Sequence, residues 1–75
     1  MSPLETLFST SGWFKSGKTY PETVNQFEKS GYSGYDIFGT ILDMHSRGIL
    51  YAYPSKNGTC YRFTVQADEE LDIGV

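Results

Sequence analysis

The sequence predicts an α+β fold in which three short helices are joined to a small antiparallel sheet. Three observations carry that expectation. Residues 33–48 form an amphipathic stretch with a marked beginning and end, residues 49–65 contain two β-branched or aromatic runs around Asn57-Gly58, and two shorter capped apolar stripes come before them. With 75 residues the chain makes one small domain. A domain of this size buries only about 60% of the surface its unfolded chain exposes, which favours binding over chemistry in a deep cavity.

The elements follow in chain order. Ser2-Pro3-Leu4-Glu5 reads as an N-cap, a proline at the first helical position and a capping-box glutamate, with Leu4, Leu7 and Phe8 on one stripe, so the first helix should run from Pro3 to Thr10. Ser11-Gly12 breaks it, and Trp13-Phe14 leaves room for one short strand before Ser16-Gly17. Thr19 and Glu22 form a second capping box, and Tyr20, Val24 and Phe27 recur at i, i+4 and i+7, which predicts a second helix over 20–30. Gly31-Tyr32 is then a tight link.

Ser33 opens the third helix, with Asp36 three residues on reaching back to it, and Gly48 sits where a left-handed residue ends it. At about 100° per residue, Met44, Ile37, Ile41, His45, Phe38, Leu42 and Tyr35 fill one half of its wheel. Ser46, Gly39, Asp43, Asp36, Arg47, Thr40 and Ser33 fill the other. Strands over Ile49–Tyr53 and Thr59–Val65 follow, joined through Pro54 to Gly58. Whether the loop is Asn57-Gly58 or Ser55 to Gly58, Leu50, Ala52, Tyr61 and Phe63 share a core face against Ile37, Phe38, Ile41 and Leu42. Tyr51, Tyr53, Cys60 and Arg62 share the other face.

The run Leu42-Asp43-Met44-His45-Ser46-Arg47-Gly48-Ile49-Leu50, the turn Asn57-Gly58 and then Tyr61-Arg62-Phe63 resemble the winged helix-turn-helix family. That family ends its recognition helix at a glycine and returns through a glycine-containing wing to an aromatic. The likeness covers residues 3–65 and implies a winged-helix domain, taken as 1–67; residues 68–75, acidic and sparse in apolar side chains, read as a C-terminal tail. It also implies double-stranded DNA as the partner: helix three in the major groove, the wing on the backbone or minor groove, and a role in transcription regulation.

Charge qualifies that expectation. Six Lys and Arg stand against nine Asp and Glu, a formal −3. Asp68, Glu69, Glu70 and Asp72 hold four of those acids, so residues 1–67 are close to neutral. The residues suited to nucleic acid are Lys15, Lys18, Thr40, Arg47, Lys56 and Arg62. Asp36 and Asp43 lie in the middle of the polar arc of helix three, where base readout calls for Arg, Lys, Asn or Gln. Tyr51 and Tyr53, with Arg62 and Lys56, form an aromatic and basic strip suited to phosphate, to stacked bases or to a protein partner. The alternative function is therefore a protein-interaction module on a winged-helix scaffold that has lost its basic recognition face. A homodimer is compatible with either function.

Enzymatic signals are weak. Gly12 to Thr19 fits the phosphate-loop pattern G-x-x-x-x-G-K-[ST], but a helix precedes it, Trp13 and Phe14 crowd it, and no acidic strand end supplies a magnesium site. It reads as a strand and turn leading into a capped helix. His45 is the only histidine and is expected as a packed, hydrogen-bonded residue. Strand parity puts Cys60, the single cysteine, away from it. No disulfide, metal or other cofactor is expected, and no membrane span or signal peptide is seen, which points to the cytoplasm.

Overall fold

The computed structural model of the chain describes residues 3–64. Helix α1 (Pro3–Ser11) is followed by a 3₁₀ turn at Trp13–Lys15, strand β1 (Lys18–Thr19), helix α2 (Tyr20–Phe27), a second 3₁₀ turn at Glu28–Ser30, helix α3 (Gly34–Ser46), and strands β2 (Leu50–Ser55) and β3 (Gly58–Phe63). The three strands form one antiparallel sheet in the order β1-β3-β2. The α+β class expected from the sequence is present, and the order of elements is compatible with a winged helix. Ser2, Val65 and the acidic residues 68–75 lie outside the described residues.

The N-caps expected at Thr19 and Ser33 both form. Thr19 Oγ1 accepts from the Glu22 amide while the Glu22 carboxylate accepts from the Thr19 amide, closing a reciprocal box worth about 1 kcal/mol. Ser33 caps α3 by accepting from the Asp36 amide at 3.1 Å, but the Asp36 carboxylate does not reach back to the Ser33 amide, so this cap is one-way and not the expected box. Gly48, at φ 77°, ends the helix in the left-handed region that side chains with a Cβ rarely adopt, and the next amide, Ile49, turns back to the Met44 carbonyl at 2.9 Å.

Trp13-Phe14 is not a strand. Neighbouring strand residues point to opposite faces, whereas here both rings are wanted on one side, and a 3₁₀ turn entered through left-handed Gly12 allows that. Phe14 is fully buried, and the Trp13 indole stands edge-on to Phe27 at 5.4 Å while donating to Thr23 Oγ1 at 2.9 Å. The strand forms instead at Lys18–Thr19, opposite Tyr61 and Cys60.

The core is built from Leu4 and Phe8 of α1, Phe14, Phe27 of α2, Ile37, Ile41 and Met44 of α3, and Leu50 and Phe63 of the hairpin. Phe8 makes edge-on contacts with Phe14 at 5.0 Å and Phe27 at 4.8 Å. Such pairs add about 0.5–1.5 kcal/mol each beyond burial itself.

The hairpin parity agrees with the sequence expectation: Leu50 pairs with Phe63 and Ala52 with Tyr61, and the turn is Lys56-Asn57 between Ser55 and Gly58. Cover thins along that face, from buried Leu50 and Phe63 to half-buried Tyr61 and exposed Ala52.

Helix α3 departs from expectation in its rotation. Its buried residues are Ile37, Ile41 and Met44 alone, whereas Phe38 and Leu42 are about half exposed and Tyr35 and His45 are exposed. The buried arc is turned by roughly 60° from the centre of the apolar half, taking about 100° per residue. The cause is α1, which packs on the polar flank and ties it down: Glu5, itself buried, accepts from the Arg47 guanidinium, which also bonds Asp43 at 2.9 Å. His45 is thus not a packed core residue; its ring reaches only the edge of Tyr61 at 6.3 Å.

Candidate interaction surface on the third helix

Around the buried stripe of α3 the remaining positions divide into two flanks. On one side stand Phe38, Leu42, His45 and Tyr35, running from α2 towards the hairpin; on the other stand Asp36, Thr40, Asp43 and Arg47, running along α1. Tyr35 is 91% exposed, Leu42 46% and Phe38 44%, so three large apolar side chains lie open on one helix. The Tyr20 ring meets Phe38 edge-on at 5.5 Å, and its hydroxyl donates to the Gly34 carbonyl at 3.2 Å. That bond holds the first turn of α3 against α2 and leaves a shallow apolar hollow lined by Tyr20, Gly34, Tyr35 and Phe38.

The acidic flank has a different chemistry. Arg47 is the one Lys or Arg at the C-terminal end of α3, and it is committed to two carboxylates. The hydrogen bond that Arg47 donates to the Glu5 carboxylate raises its pKa further, against the opposing effect of desolvation, so it stays charged and neutralised in place. Thr40 donates its hydroxyl to the Asp36 carbonyl at 2.8 Å, the back-bond that helical threonines commonly make. Two of the residues suited to nucleic acid are therefore occupied by contacts within the domain. Asp36 makes no ion pair among the described residues.

The other expected site residues are scattered. Lys15 is exposed at the end of the 3₁₀ turn, Lys18 holds its ammonium 4.9 Å above the Trp13 ring, Lys56 is at the hairpin tip, and Arg62 lies exposed on the outer sheet face opposite Tyr51. The structure does not gather them into one basic patch. In the phosphate-loop-like segment, the Thr19 hydroxyl is used as a helix cap and Lys18 is engaged with Trp13, which leaves a turn running into a capped helix.

Tyr51 and Tyr53 are brought together, their rings 5.7 Å apart and tilted by 37°. They differ in role. Tyr53 pairs across the strand with Cys60 and crosses β3 to reach Gly17, where any Cβ would collide with its hydroxyl. It therefore covers the outer face of the sheet, and Cys60 is buried beneath it. Burial pushes the Tyr53 hydroxyl above the usual tyrosine range, with Cys60 and Tyr51 reinforcing the shift and Arg62 opposing it. Tyr51 remains 41% exposed.

Among the described residues no three His, Cys, Asp or Glu side chains lie close enough to hold a metal, and no helix is long and apolar enough to cross a membrane. No family model, curated protein or solved structure matches this chain. The exposed apolar flank of α3 was legible in the sequence only as the rim of an apolar arc. What sequence reasoning missed was the Glu5–Arg47 tie, whose partners are 42 residues apart and which decides the flank that is covered.

Proposed function

We propose that this domain is a cytoplasmic, non-enzymatic protein-interaction module on a winged-helix-like scaffold, and that α3 is its docking element. The observation that carries this reading is the open face of α3: three exposed apolar side chains beside two aspartates, with its one guanidinium already bound by carboxylates. A helix that reads bases from the major groove needs outward donors and a phosphate-compatible charge, and the aspartates oppose both. Aromatic and aliphatic side chains that stay in water in the free protein are the usual anchors of protein interfaces.

DNA binding by the wing is the second reading, favoured by the exposure of Lys56 and Arg62 on the hairpin. In that case the wing would do the work of both elements. A titration against mixed-sequence duplex at about 50 and 200 mM salt separates the two. The interaction reading expects binding no tighter than the non-specific level, about 10⁻⁴ M at the higher salt. Submicromolar binding, with a steep salt slope that flattens when Lys56 and Arg62 are neutralised, would replace it with the wing-led reading.

A further inference from the structure

We infer that the occupant of the α3 surface is a cationic, apolar-anchored peptide segment of another protein, an inference that rests on the interaction reading above and adds the chemistry of the partner. Tyr35 stands as a ridge between two hollows. On one side is the apolar hollow of about 350 Å³ lined by Tyr20, Gly34, Tyr35 and Phe38. On the other is a groove of about 600 Å³ whose charged lining is Glu5, Asp36, Asp43 and Arg47, with Gly39 in its floor. Three carboxylates against one guanidinium leave the groove two charges negative. A Cβ built on Gly39 would meet nothing within 4 Å, so the floor is bare backbone.

Charge selects among the possible occupants. Duplex DNA and an anionic lipid surface would both bring negative charge to a negative groove. A second copy of the chain would bring the same acidic flank against itself, and residues 68–75 of this chain carry four further acids. Only a cationic partner gains from the groove, and only one with an apolar anchor also uses the hollow across the ridge. The two compartments share Tyr35, so the anchor and the cations belong within about one helical turn of each other, as Leu or Phe at i with Lys or Arg at i+3 or i+4.

The test is fluorescence anisotropy with two labelled peptides of roughly 16 residues, long enough to form helix on the surface. One carries Leu and Phe anchors with Lys on the adjacent positions; the other is identical except that Glu replaces each Lys. The Lys peptide should bind, and more weakly as salt rises. Asp36→Lys should weaken it about tenfold, because it reverses a charge beside the path. Phe38→Ser should weaken it by a similar factor by removing the anchor site, about tenfold. Gly39→Trp fills the groove from a helical position with open space, so it keeps the fold and should also block binding.

If the Glu peptide binds as tightly as the Lys peptide and Phe38→Ser abolishes both, the charge inference falls while the interaction reading stands. If the Lys peptide binds unchanged to Asp36→Lys, Phe38→Ser and Gly39→Trp, the α3 surface is wrong and both fall. Self-association of the unmodified protein that disappears in Phe38→Ser would make a second copy the occupant, overturning the inference of a cationic partner.

Discussion

Ile41 and Leu42 are isomeric side chains one residue apart on α3, and the rotation of that helix assigns them opposite fates. Ile41 is fully buried among the core residues, whereas Leu42 is 46% exposed. Fully burying such a side chain is worth about 1.5–3 kcal/mol, so Leu42 contributes roughly half of that, about 1 kcal/mol, and its loss leaves no enclosed cavity. Truncating Ile41 loses the full term and opens a hole, for a total of about 2–5 kcal/mol. The gain in helix propensity on going to alanine is only a few tenths of a kcal/mol, roughly 0.2–0.4 for both, and nearly cancels. A domain of this length has about 4–11 kcal/mol of stability to lose.

Urea unfolding followed by the fluorescence of Trp13, which packs on Phe27, reads the difference directly. Ile41→Ala should lower the midpoint far more than Leu42→Ala at an unchanged denaturant slope, and thermal midpoints should separate by about 10–20 °C. Equal costs, or a larger cost at Leu42, would refute the rotation of α3 and with it the open apolar flank.

Three further outcomes follow from the packing. Thr23→Val keeps shape but leaves the Trp13 indole N–H and the Thr19 carbonyl without their buried partner, at a cost of about 1–3 kcal/mol that the same unfolding experiment reads; an unchanged midpoint would contradict the Trp13–Thr23–Thr19 relay. Gly17→Ala should push the Tyr53 ring off β3 and speed labelling of Cys60 by a thiol reagent, as should Tyr53→Ala; labelling as slow as in the unmodified protein would mean that Tyr53 does not cover the cysteine. Tyr53 should ionise above the ordinary tyrosine value in a tyrosinate absorbance titration, and Tyr53→Phe should remove that late step. The sign is fixed by the raised pKa: the fold favours the neutral phenol, so this contribution is complete below the ordinary value of about 10 and is lost as pH rises through the folded value.

Local signals in the sequence proved legible, and long-range ones did not. The Thr19–Glu22 box, the Ser33 cap, the Gly48 stop and the hairpin parity are each decided within a few residues, by hydrogen bonds and alternation that the sequence displays. Trp13-Phe14 misled because a strand reading follows from composition, whereas the 3₁₀ turn is dictated by a core that needs both rings on one side. On α3, the apolar half of the wheel spans more arc than a small domain covers. Which third of it is buried depends on α1, through a carboxylate at Glu5 meeting a guanidinium at Arg47. That same tie removes Arg47 from the set of residues offered to nucleic acid. The scatter of Lys15, Lys18, Lys56 and Arg62 was likewise invisible until the sheet order was known.

Amide chemical-shift mapping distinguishes a protein-docking face on α3, as proposed above, from a base-reading one. The isotopically labelled protein is titrated in turn with the Lys-bearing amphipathic peptide and with mixed-sequence duplex DNA. The peptide should shift the amides of Gly34, Tyr35, Phe38, Gly39 and Leu42 progressively, and DNA should leave those amides where they are. Shifts at the same α3 amides on adding DNA, with none on adding the peptide, would contradict the proposed docking face.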